Sequence, residues 1–206
     1  VTGRLTRRRF LGATGAALAA TACRDGPGGG TTGRPGELDG IDHLAGLERL
    51  TVETYTALRE LAVVGRLGAL IPPAVVEFVT TATGRHQEHL DTWNRTLVAA
   101  GRQDVTAADA RFKPRVEAAV SRLVDIPGLL TLALRIEDHT SRTYLEALPT
   151  LATPDTIRTA GQIVAVDQAH QAYLRYLLGL SPVGSGTVRD ATDFAPADPQ
   201  ASLSTW

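Results

Sequence analysis

The apolar residues of this chain recur at helical spacing in four stretches, and nowhere do they alternate in the manner of a strand. The first stretch spans about residues 41–64. There Leu44, Leu47, Tyr55, Leu58 and Ala62 share one side, with Arg49, Glu53 and Glu60 opposite. The second follows Pro72 and Pro73, which suit a helix start, and ends near Gly101, which suits a stop; its stripe is Val75, Phe78, Ala82, Trp93, Leu97 and Ala100. The third, about 126–148, carries Leu130, Ala133, Leu134, Tyr144 and Leu148 inward. The fourth begins after Thr153-Pro154-Asp155 and reaches about residue 178, before Gly179 and Ser181-Pro182, with Ile163, Val166, Leu174 and Leu177 inward. A polar connection over 101–113 and a short extra helix over 114–124, expected to cross the bundle end, separate the second stretch from the third. The pattern predicts an all-α fold, an antiparallel four-helix bundle of two hairpins with a long connection between helices two and three.

Six polar residues fall inside these apolar stripes, where a carboxylate is costly unless it is paired, protonated or bound to a cation. They are Glu48 on the first helix, His86 and His89 on the second, Glu137 on the third, and Asp167 and His170 on the fourth. Gln87, Glu88, Asp91, Arg135, Asp138, Arg142, Glu146, Gln168 and Arg175 face away, and His43 and His139 are expected at the surface. The six form a repeat. Glu48 and Tyr55, seven apart, precede His86-x-x-His89; Glu137 and Tyr144, seven apart, precede Asp167-x-x-His170. Residues three apart are neighbours on a helix, so each second member of the repeat presents two adjacent ligand side chains. A duplication of this kind predicts a pseudo-two-fold axis through the bundle, with ligands from both halves meeting at a shared metal site. Tyr55 and Tyr144 lie two turns from the acids on the same faces, placed to donate hydrogen bonds to the site or to relay electrons.

The ends of the chain change the picture of where the protein works. Thr6-Arg7-Arg8-Arg9-Phe10-Leu11 is a paired arginine with an apolar start, followed by an Ala/Gly-rich stretch to Ala22. This reads as a secretory signal over residues 1–22, too short and too weakly apolar for a membrane span, and the twin arginines point to export of folded cargo by the Tat machinery. Ala20-Thr21-Ala22 is an A-x-A cleavage site, and Cys23, the single cysteine, forms no internal disulfide. Ala20-Thr21-Ala22-Cys23 also resembles a lipobox. Two readings of Cys23 follow, a lipidated first residue of the mature chain that anchors it to the membrane, or a cysteine beside the cut in a freely secreted protein. Residues 23–40 are rich in Gly and Pro and read as a tether, and 181–206 as a loosely ordered tail, leaving 41–180 as one domain. Cleavage before Cys23 removes four arginines and no acid, leaving 17 basic against 22 acidic side chains and a net charge of −5. That balance, with no basic cluster beyond the signal, argues against nucleic acid as a partner. No nucleophile-elbow serine and no Gly-rich loop between strand and helix is present, so hydrolase and nucleotide-binding chemistries find no support.

Residues 41–180 resemble the ferritin-like superfamily, in particular secreted bacterial proteins with a single ferritin-like domain; the best stretches are Ile136-Glu137 to Tyr144 and Ile163-Val164-Ala165-Val166-Asp167-Gln168-Ala169-His170. The resemblance implies a site for two metal ions, held by one Glu from each of two helices and a Glu-x-x-His pair from each of the other two. On this chain Glu48 and Glu137 match the single glutamates, and His89 and His170 the terminal histidines. Asp167 keeps a carboxylate one methylene shorter, and His86 replaces the acid altogether. Three carboxylates and three imidazoles therefore stand where the family has four carboxylates and two imidazoles. That set fits one tight divalent ion or an asymmetric pair as well as a true di-iron centre, and shifts preference toward zinc, copper or nickel relative to iron or manganese. If iron binds, the family implies oxidation of ferrous iron or reduction of dioxygen or peroxide, by a di-metal oxidoreductase whose catalytic residues the sequence does not single out. The alternative is a metal-free bundle in which the same six groups form a hydrogen-bonded network, the protein serving as a structural or binding module.

Overall fold

The computed structural model describes residues 35–68 and 71–180. Its helices are α1 Pro35–Val63, α2 Pro73–Ala99, α3 Lys113–Ser121, α4 Ile126–Ala147 and α5 Pro154–Leu177, with a 3-10 turn at Leu148–Thr150. No strand occurs among the described residues. The expected stops act as stops for a physical reason. Gly101 and Gly179 adopt φ of 79° and 69°, the left-handed turn that a side chain disfavours. The chain then folds back, so that Arg102 N–H donates to Leu97 O at 2.9 Å and Leu180 N–H to Arg175 O at 2.8 Å. The starts of α4 and α5 are capped by side chains: Asp125 accepts from Gly128 N–H at 2.7 Å and Thr153 from Thr156 N–H at 3.1 Å.

Two apolar clusters fix the directions of the helices. Ile41 and Leu44 near the start of α1 pack with Trp93 and Leu97 near the end of α2, Tyr144 near the end of α4, and Ala160 and Ile163 near the start of α5. At the other end, Leu58 and Ala62 of α1 meet Val75 and Phe78 of α2, Leu129 and Leu130 of α4, and Leu174 of α5. Helices α1 and α5 therefore run one way and α2 and α4 the other, as two antiparallel hairpins joined by the long connection expected between the second and third bundle helices. Most of the inner stripes predicted from spacing are buried, with Leu44, Leu58, Trp93, Leu97, Ala133 and Leu174 wholly inaccessible, while Ala100, Leu134, Leu148, Val166 and Leu177 are half-buried. Each such large apolar side chain contributes about 1.5–3 kcal/mol.

Three sequence expectations change. Helix α1 begins six residues before Ile41, inside the segment read as tether, because Glu37 has a tertiary partner. Its buried carboxylate accepts from Ala152 N–H at 2.9 Å and from the Thr156 hydroxyl at 2.7 Å, satisfying groups at the start of α5. The short helix α3 does not cross the bundle end but lies along the flank of α1 and α4. Lys113 Nζ is 2.9 Å from Glu53 of α1, and Val116 and Phe112 pack on Leu50. His139, expected at the surface, is buried under that flank with its ring 4.6 Å from that of Phe112, and burial pushes its imidazole down to about 4. His43 is half-buried, its Nδ1 2.9 Å from Asp109 in the same connection, and burial together with the Arg111 charge lowers it too. The signal segment, Cys23, the rest of the tether and the tail lie outside the described residues.

Candidate metal centre

Between the two apolar clusters lies one polar layer, and all six sequence-predicted residues are in it. Helix α1 supplies Glu48, α2 His86 and His89, α4 Glu137, and α5 Asp167 and His170. Glu48, His86, Glu137 and Asp167 are wholly buried; the His89 and His170 side chains keep 10% and 12% of their surface, which places the edge of the layer nearest solvent between α2 and α5.

The two halves are cross-braced. Tyr55 of α1 donates to Glu137 Oε1 of α4 at 2.5 Å, and Tyr144 of α4 donates to Glu48 Oε1 of α1 at 2.6 Å. The repeat spacing thus serves exchange between halves: each tyrosine holds the other half's glutamate. Both hydroxyls are pushed well above their ordinary value by burial, reinforced by the glutamate each one meets, so both stay protonated as donors. Trp93 was read from sequence as core, yet its indole N–H donates to the Tyr144 oxygen at 2.6 Å. The signal available in sequence was its place one turn after His89 on the same face.

His86 sits at the centre. Its Nδ1 is 2.8 Å from Glu48 Oε2, its Nε2 3.2 Å from Glu137 Oε1, and its ring stacks on Tyr55 at 5.6 Å. His170 Nδ1 also lies 3.2 Å from Glu137 Oε1, and His89 Nδ1 stands 3.5 Å from Glu48 Oε1, long for a hydrogen bond. Burial alone would raise both glutamates; the His86 charge and the histidine contacts overcome it and hold each at about 2. Burial alone would lower His86, and the Glu137 and Glu48 charges overcome that in turn, raising it well above its ordinary value. The metal-free layer is therefore an imidazolium between two carboxylates.

Asp167 is left out of this balance. It is wholly buried, and neither oxygen has a hydrogen-bond partner of ordinary geometry among the described residues. The nearby Thr140 hydroxyl favours its charged form slightly, but is engaged at 3.1 Å with the carbonyls of Ile136 and Glu137. Burial and the charge of Glu137 push Asp167 well above the carboxylate range. Glu137 Oε2 and His89 Nδ1 are likewise buried without a hydrogen bond. These orphaned atoms are where a cation fits. One ligand atom each from His86, Glu137, Asp167 and His170 lies within 4.8 Å of the others, and so do those of Glu48, His86 and His89. The donors are mixed nitrogen and oxygen, suited to a borderline divalent ion.

Comparison with known proteins agrees with the geometry. A conserved hypothetical protein of Mycobacterium tuberculosis, rv2844, has a crystal structure that superposes with a TM-score of 0.55 at 19% identity, over 74% of this chain and 97% of that one, which shows the shared fold. No curated protein matches the chain. The model of the ferritin-like domain family matches residues 39–180, all of the bundle but the first four residues of α1, and every residue of the polar layer. The chain belongs to the ferritin-like domain family.

Proposed function

We propose that this protein binds divalent metal in the polar layer and works in metal handling or redox chemistry at the cell envelope. Asp167 carries the reading. A layer evolved only to hold helix register would satisfy its groups, whereas a buried carboxylate with two unpartnered oxygens costs about 1–3 kcal/mol or more until a cation meets it. Iron is the ion the family points to, and the three imidazoles also suit zinc or copper. When bound, such an ion supplies Lewis acidity or electron transfer. The chain's own part is to fix the ligands through the Tyr55 and Tyr144 braces and to keep water out with the apolar clusters above and below. Export by the twin-arginine route, with Cys23 as lipid anchor or as the first residue of a free protein, belongs to the same proposal; among the described residues no helix is long and apolar enough to cross a membrane.

Elemental analysis of protein purified from its exported pool tests the reading, alongside Asp167→Asn and His170→Ala. Stoichiometric metal in the native protein, reduced in both variants while their helix content is kept, is the expected result. Sub-stoichiometric metal that the variants do not change would leave the second reading, a metal-free bundle. One observation favours that reading: His86 already gives Glu48 and Glu137 a partner each from its two nitrogens.

A further inference from the structure

The two ligand groups have one member in common, and it is a histidine. Asp167, at the helical position matching His86, falls only with the Glu137 group, and Glu48 and His89 fall only with the other. His86 is in both because its ring spans them, Nδ1 facing Glu48 and Nε2 facing Glu137. Its ring centre lies 5.5 Å from that of His89 and 5.7 Å from that of His170, nearly equidistant from the two histidines that would close the groups. Tyr55 stacks against its face within 16° of parallel, fixing the plane in which both nitrogens point.

Resting on the metal-binding reading, we propose that His86 is the bridging ligand of a two-ion centre, one ion on each ring nitrogen. The first position has four protein ligands, His86 Nε2, Glu137, Asp167 and His170. The second has three, His86 Nδ1, Glu48 and His89, and keeps the open place at which an external molecule binds. To bridge, the ring releases both N–H protons to water and offers one lone pair from each nitrogen. The ions are then separated by the width of an imidazole, roughly 6 Å given metal–nitrogen bonds of about 2 Å, rather than the ~3.5–4 Å of centres in which both ions share a substrate oxygen. Among the described residues no carboxylate belongs to both groups, whereas His86 does.

Copper(II) is the probe, because two such ions joined through one imidazole couple their spins. The native protein is loaded with two equivalents, copper per chain is counted, and the electron paramagnetic resonance signal is integrated at low temperature. Expected are two ions per chain with an integrated signal several-fold below that of two free spins, and in His89→Ala one ion per chain with a full, uncoupled signal. His89→Ala is chosen because His86 braces both glutamates and its loss endangers folding. One ion per chain in the native protein, two ions with full uncoupled signal, or a metal–metal separation below about 4 Å by X-ray absorption would each overturn the bridge. No copper at all would instead overturn the metal-binding reading beneath it.

Discussion

The halves α1–α2 and α4–α5 carry the same pattern and differ most where it matters, at one position on α2 and its counterpart on α5. His86 meets a glutamate at each nitrogen, while Asp167 meets none. The first half therefore holds the cation that keeps two buried carboxylates charged, and the second holds the carboxylate that lacks one. The matching spacing of the two halves puts both residues in the polar layer; asymmetry in charge makes one a structural keystone of the metal-free protein and the other its weak point.

Substituting leucine at the two positions breaks the comparison most sharply. His86→Leu strands Glu48 and Glu137 without their cation and should cost the metal-free protein about 3–5 kcal/mol in urea unfolding. Equal stability of His86→Leu and native protein would show that the glutamates do not depend on it. Acid comes next in size. Glu48 and Glu137 are lowered from 4.5 to about 2, so the stability they contribute is present above about 4.5 and lost as pH falls toward 2. His86 has the opposite sign: raised from 6.5, it contributes stability that is full below 6.5 and lost as pH rises through its higher value. Metal-free thermal melts across pH should therefore weaken on the acid side below about 4.5, and the alkaline loss should vanish in His86→Leu. A smaller effect of reversed sign is expected from Asp167→Leu, which removes the unpartnered carboxylate and should stabilise the metal-free protein by about 1–3 kcal/mol while weakening stabilisation by added metal. If Asp167→Leu destabilises the metal-free protein, Asp167 is satisfied in a way its surroundings do not show.

What was legible in the sequence follows from how local its cause is. The inner faces and the six ligand candidates are properties of helical phase, so Glu48, Glu137 and Asp167 were placed correctly by counting residues. The fold class and the long connection were read the same way. The start of α1 was not legible, because Glu37 looks like one more polar residue in a Gly-rich run until the start of α5 is brought against it. His139 was misplaced for a similar reason: its face of α4 is polar in phase, and only the packing of Phe112 and α3 covers it. The exchange of tyrosines between halves was also hidden, since spacing puts Tyr55 on Glu48's face but does not say whose glutamate it meets.

The finest difference between the halves lies in those tyrosines. Tyr144 both donates to Glu48 and accepts from Trp93, whereas the residue matching Trp93, one turn after His170, is Leu174, which offers Tyr55 no donor. Tyr144→Phe leaves two buried groups short of a partner, the Trp93 N–H and one Glu48 oxygen. Tyr55→Phe leaves only Glu137 short, and Glu137 keeps His86 and His170. Each net hydrogen bond is worth about 1 kcal/mol, so Tyr144→Phe should cost about 1 kcal/mol more than Tyr55→Phe in urea unfolding. A double-mutant cycle between Trp93→Phe and Tyr144→Phe isolates the extra bond, with a coupling of about 1 kcal/mol expected. Zero coupling with equal costs for the two tyrosines would mean that the indole contact adds nothing, and that the halves differ in the layer only at His86 and Asp167.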